Sequence, residues 1–150
     1  MTLLWITATL HLLALGIGMG AIYARARLLK GLRTPDQLSG VFLADGLWGL
    51  AGALWLVTGL LRAFTGLDKG TAYYLGHPLF HVKLTLFVII LGLEIRPMIL
   101  LLRWRRERSG SPDLSPARGM ARTSHLQFGL VFLIVLLATA IARGLFYPTG

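Results

Sequence analysis

Apolar residues in this chain fall into four long runs, separated by short stretches that hold most of the charge. The runs cover about residues 3–23, 41–61, 79–102 and 126–146. Each reaches the roughly 20 residues that a helix needs to cross the hydrocarbon core at a 1.5 Å rise per residue. Lipid cannot satisfy open backbone groups, so all four runs are expected to be helical. Short connections make successive helices antiparallel neighbours. The predicted fold class is therefore all-α: an integral membrane four-helix bundle, up-down-up-down, with residues 1–150 forming a single transmembrane domain.

Composition agrees with a bilayer as solvent. Hydrophobic residues make up 55% of the chain and charged residues 14%, with a mean hydropathy of +0.70. The net charge of +9 does not imply nucleic acid, because the basic residues stand in blocks between apolar runs. Arg25, Arg27, Lys30 and Arg33 follow the first run, and Arg103, Arg105, Arg106, Arg108, Arg118 and Arg122 follow the third. The second connection has only Arg62 and Lys69, offset by Asp68. The positive-inside rule then places both termini and the second loop outside, and the first and third loops in the cytoplasm, of a bacterial inner membrane. The first run is not expected to be a cleavable signal peptide, since its basic residues follow it. Absence of cysteine excludes disulfides and thiolate chemistry by this chain.

Two connections have character of their own. Residues 109–124 contain Gly110, Pro112, Pro116 and Gly119 and are expected to form a flexible cytoplasmic loop. Tyr73 and Tyr74 in the second loop suit an interfacial aromatic belt.

Ionisable groups inside the spans are the candidate chemistry, because a membrane helix holds them only against protein, water or a ligand. They form two layers. Toward the outer side lie His11, Arg62, His77, His81, Lys83 and Arg143; toward the inner side lie Asp45, Glu94, Arg96 and His125. The outer layer is cationic, with no carboxylate except Asp68 in the loop. An anionic ligand, such as a carboxylate or a phosphate, would relieve that excess.

Each residue also has a plainer reading. His11, about 12 Å into the first helix, suits an axial ligand to haem iron, or a hydrogen bond to a neighbouring helix. His77 and His81, four apart, could share a helical face and hold a metal, or stand solvated at the interface. Lys83 could meet an acid, or reach outward to water. Lys83 and Glu94 share a face of the third helix but lie about 16 Å apart, so they cannot pair. Glu94 is expected to pair with His125, a group near Arg96 or a basic residue of another helix. The inner layer as a whole could be an ion-pair layer that fixes helix register. Gly16, Gly18 and Gly20 in the first span, and Gly46, Gly49, Gly52, Ala53 and Gly59 in the second, allow close helix approach. The stripe of Asp45, Gly49, Gly52, Leu56, Gly59 and Ala63 on the second helix could serve packing or make room for a flat ligand.

The segments LHLLALGIGMGAIYARA, TGLLRAFTGLDKGTAYYLGHPLFHVKLTLF and LGLEIRPMILLLRWRR resemble a family of four-span bacterial membrane proteins with no assigned function. His11 and the run LFHVKL also resemble, more distantly, the HemJ-type protoporphyrinogen oxidase family, with Phe80 in place of that family's tryptophan. That resemblance implies haem b, with His11 as an axial ligand and Lys83 at the haem or substrate site. Copper-resistance membrane domains have a similar look. The leading expectation is a protein binding haem b or a porphyrin in the outer half of the bundle, for redox chemistry or electron transfer. His11 and His81 would ligate iron, and Arg62, Lys83 and Arg143 would meet the propionates. The alternatives are a non-enzymatic subunit of a larger membrane complex or homo-oligomer, and copper handling at His77 and His81.

Overall fold

The structure is a computed structural model and describes residues 2–65, 70–107 and 112–146. Asp68, Lys69, Arg108 and residues 109–111 of the expected loop lie outside the described residues. Five α-helices and one 3-10 turn account for most of what is described: α1 (Thr2–Gly31), the turn Pro35–Gln37, α2 (Leu38–Phe64), α3 (Thr71–Gly76), α4 (Pro78–Arg106) and α5 (Ala117–Ala142). No strand occurs among the described residues. The fold is an all-α membrane helical bundle, with α1, α2, α4 and α5 each long and apolar enough to span.

These helices end where their local chemistry changes, not where hydropathy falls. α1 continues past the apolar run to Gly31, so Arg25 and Arg27 lie on a helix and not in a loop. α5 starts at Ala117, after Pro116, and so takes up Arg118 and Arg122. The expected long loop at 109–124 is correspondingly shorter. A helix satisfies its own backbone in water as well as in lipid, so it can run beyond the bilayer at no cost in open hydrogen bonds. α4 passes through Pro97, which is buried against the bundle.

Around the bundle, α1 packs against α2 and α5, and α5 packs against α4. α1 and α2 come close together at Gly18, where an added Cβ would lie 3.3 Å from the Ala51 Cβ. The ring is loosest between α2 and α4, which face each other across a seam. Buried residues form three groups along the axis. One lies at the end carrying the basic connections and includes Leu29, Val41, Leu101, Trp104 and Met120. A middle group holds Ile90, Val131 and Ile134, with Trp48, Trp55 and Phe87 against it. At the opposite end, Ala63, Phe80 and Ile141 pack under Tyr73 and Tyr74. Leu12, Leu43, Leu50, Val88 and Ile99 point outward and are largely exposed. Such a belt is stable only in lipid or against another apolar surface.

Candidate functional site

The two polar layers are present, and they differ in kind. At the basic end, Arg25 is completely buried at the centre of a network drawn from all four spanning helices. Its Nη1 donates to Asp45 Oδ1 at 2.8 Å and to Glu94 Oε1 at 2.6 Å. Its Nη2 donates to Glu94 Oε2 at 2.8 Å and to Gln127 Oε1 at 2.9 Å, and its Nε to Ser124 Oγ at 3.1 Å. A guanidinium has five N–H groups, and here each has an acceptor. The carboxylates are satisfied as well. Trp48 Nε1 and Gln127 Nε2 donate to Glu94 Oε2 at 3.1 and 2.7 Å, and Arg105 Nη2 donates to Asp45 Oδ2 at 3.1 Å. Two arginines against two carboxylates leave the layer neutral. It is a closed structural network, with nothing left over for a ligand.

Glu94 thus pairs with Arg25 of the first helix and not with His125. His125 donates from Nδ1 to the carbonyl of Ala121, one turn back on its own helix, and meets the edge of Tyr23. Hydropathy ends the first run before Arg25, so the sequence pattern alone places it among the loop charges. A signal for its burial exists in the sequence: Ala14, Gly18, Ala21 and Arg25 lie along one stripe of small residues, which is the buried face of α1.

The layer at the α3 end is not closed. His11 Nδ1 lies 2.9 Å from Thr58 Oγ1. Thr58 has one hydroxyl proton, which it gives to the Leu54 carbonyl at 2.6 Å. His11 must then donate from Nδ1, leaving Nε2 as the nitrogen with a free lone pair. The His11 ring stacks on Trp55 with centroids 5.7 Å apart. Gly59 makes this possible, since a Cβ there would sit 3.3 Å from His11 Cε1. Gly59→Leu is therefore expected to push His11 off Thr58 without touching the network around Arg25. An imidazole NMR resonance that does not move would contradict this contact.

His11, Trp55, Arg62, Tyr74, Phe80 and Lys83 line a cavity of about 350 Å³. A smaller hollow of about 90 Å³ adjoins it and shares His11, Trp55, Phe80 and Lys83. Among the described residues no carboxylate lines either, and Lys83 makes no hydrogen bond or ion pair. An amine left in an apolar cavity without an acceptor is an expensive arrangement, which an anion would relieve.

The other expected site residues lie elsewhere. His81 is exposed, and its Nε2 donates to the Leu75 carbonyl at 2.8 Å. His77 is fully buried between α3 and α4, with extended backbone angles (φ −95°, ψ 115°), so it shares no helical face with His81. Arg143 caps the end of α5, exposed and away from the cavity lining. Among the described residues no three of His, Cys, Asp or Glu cluster to hold a metal ion. Sequence reasoning did not single out Thr58, whose hydroxyl orients His11. A threonine in an apolar helix usually bonds only its own backbone, and nothing in the one-dimensional pattern sets this one apart.

Residues 3–145 match the family model described as a predicted membrane protein, DUF2214. The chain belongs to that family. No curated protein and no solved structure matches this DUF2214 chain. Family membership agrees with the spanning helices and assigns no activity.

Proposed function

We propose that the cavity at the α3 end binds a tetrapyrrole, haem b or its iron-free porphyrin, and serves redox chemistry or electron transfer in the membrane. The observation that carries this reading is His11. Its Nδ1–H is held by Thr58, which leaves the lone pair on Nε2, and its ring lines an aromatic cavity, the tautomer in which an imidazole binds a metal through Nε2. Lys83 supplies a cation for a propionate, and Arg62 lines the same cavity. Trp55 and Phe80 offer flat apolar surface to a macrocycle. The cavity volume falls in the range of about 300–1,000 Å³ common for small-molecule sites. Bound haem would supply one-electron chemistry at its iron. The chain's own part would be to hold the ring through one histidine, neutralise its carboxylate and keep water away. His81, tied to the Leu75 carbonyl, does not fit as a second axial ligand in this arrangement.

The test is a haemin titration of detergent-purified protein, followed by the Soret band. Wild type is expected to saturate at one haem per chain, and Lys83→Gln to bind more weakly with an unchanged band position. Equal affinity for both proteins would remove Lys83 from the site.

In this reading the cavity faces the outer side of a bacterial inner membrane. Arg27, Lys30 and Arg33 stay in or near the first connection even with Arg25 buried, so the charge bias survives. The natural absence of cysteine makes the check clean. In intact cells a membrane-impermeant maleimide is expected to label Thr71→Cys and spare Ser115→Cys. The reverse pattern would invert the orientation.

A further inference from the structure

The cavity that holds His11 and Lys83 is bounded by α3 toward the loops and by a second hollow toward the middle of the bundle. Toward the loops it is roofed by α3. Tyr73 donates its hydroxyl to the Ile141 carbonyl at 2.8 Å, and Tyr74 lines the cavity while packing on Phe80 at 5.3 Å. Toward the lipid, the loose seam between α2 and α4 holds a further hollow of about 320 Å³. Trp55, Leu56 and Phe87 line this hollow and also line the small hollow beside Lys83, which in turn shares His11, Trp55, Phe80 and Lys83 with the main cavity, so the three spaces adjoin in turn. Gly49 and Gly52 form part of its wall, and a Cβ added at either would meet nothing within 4 Å. At its far end the seam is closed by side-chain bonds from Trp48 to Glu94 and from Arg105 to Asp45.

From this continuity we infer that the α2–α4 seam is a lateral portal, through which an anionic amphiphile dissolved in the bilayer reaches Lys83. The inference rests on the reading that the cavity takes an anionic ligand, and it names the class: a carboxylate-bearing molecule with an apolar body, delivered from lipid and not from water. The charge is complementary, because Lys83 has no partner and no carboxylate lines the cavity among the described residues. Apart from Asp45 and Glu94 at its far end, the path is lined by apolar side chains up to Lys83, so it suits an apolar body and penalises a hydrated ion. Asp45 and Glu94 at the far end are already neutralised by arginine, and they neither repel nor trap the passing molecule.

The experiment uses the full chain in phosphatidylcholine vesicles, with dibromostearate as the probe. Bromine quenches tryptophan on contact, and the Trp55 share of emission is isolated by subtracting Trp55→Phe. Expected is a saturable quenching of Trp55, lost in Gly52→Leu and weakened in Lys83→Gln. Gly46→Leu, on the same helix but outside this hollow, controls for folding and should quench as wild type does. Quenching of Gly52→Leu equal to wild type overturns the portal, and so does Trp55 being reached as readily by water-borne acrylamide. The tetrapyrrole reading is scored separately by haemin absorbance on the same samples. A protein that takes up dibromostearate and shows no haem band keeps the portal and loses the haem.

Discussion

Replacing Arg25 with alanine is expected to destabilise the bundle by about 3–5 kcal/mol, the usual cost of stranding a buried charge. The substitution leaves Asp45 with only Arg105, and Glu94 with only the neutral donors Trp48 and Gln127. Every one of the four spanning helices loses a contact at once, because Arg25 on α1 is the common partner of Asp45 on α2, Glu94 on α4, and Ser124 and Gln127 on α5. Arg25→Lys is expected to rescue little. An ammonium has three donors where the guanidinium has five, and it cannot make the two-pronged contact with Glu94. Neutralising the whole layer is expected to cost less than removing its centre. Arg25→Met and Arg105→Gln combined with Asp45→Asn and Glu94→Gln leave no uncompensated charge, and together they should recover much of the loss. Thermal unfolding in detergent, read by monodispersity after heating, measures all three. A stable Arg25→Ala protein would mean that the network does not hold the helices together.

The second large effect concerns the cavity. His11→Ala is expected to abolish the Soret signature of bound haem, while His81→Ala leaves it intact. His11 lines the cavity with its Nδ1 held by Thr58, and His81 has its Nε2 committed to Leu75. Thr58→Val should fall between them. It keeps the ligand nitrogen but removes the acceptor that fixes the ring, and losing such a supporting contact costs about 10- to 100-fold in metal affinity. That graded series separates iron ligation from general damage to packing. Equal losses in His11→Ala and His81→Ala would contradict the assignment of His11 as sole protein ligand.

The spans were legible in the sequence because hydrocarbon thickness and the closure of backbone hydrogen bonds leave few alternatives. Helix ends were not. Hydropathy marks where a chain leaves lipid, whereas a helix ends where its backbone finds caps, so α1 and α5 both extend into stretches read as loops. That difference hid Arg25, which a depth argument assigns to the surface and the stripe of Ala14, Gly18 and Ala21 assigns to the interior. Asp45 and Glu94 stood out as charges within spans, but their partner could not be named without the packing of α1 against both α2 and α5. In the other layer, His11 and Lys83 were visible as isolated polar residues, and they line one cavity. The spacing of His77 and His81 misled, because a four-residue interval implies a shared face only if both residues are helical. His77 is the extended residue before α4 begins.

The most direct test of the central claim is the absorption spectrum of the protein purified in mild detergent, as isolated and after dithionite. The account predicts a Soret band, with visible bands that sharpen on reduction and that depend on His11. A protein that is colourless as isolated, and still colourless after expression with added haem precursor, would contradict it.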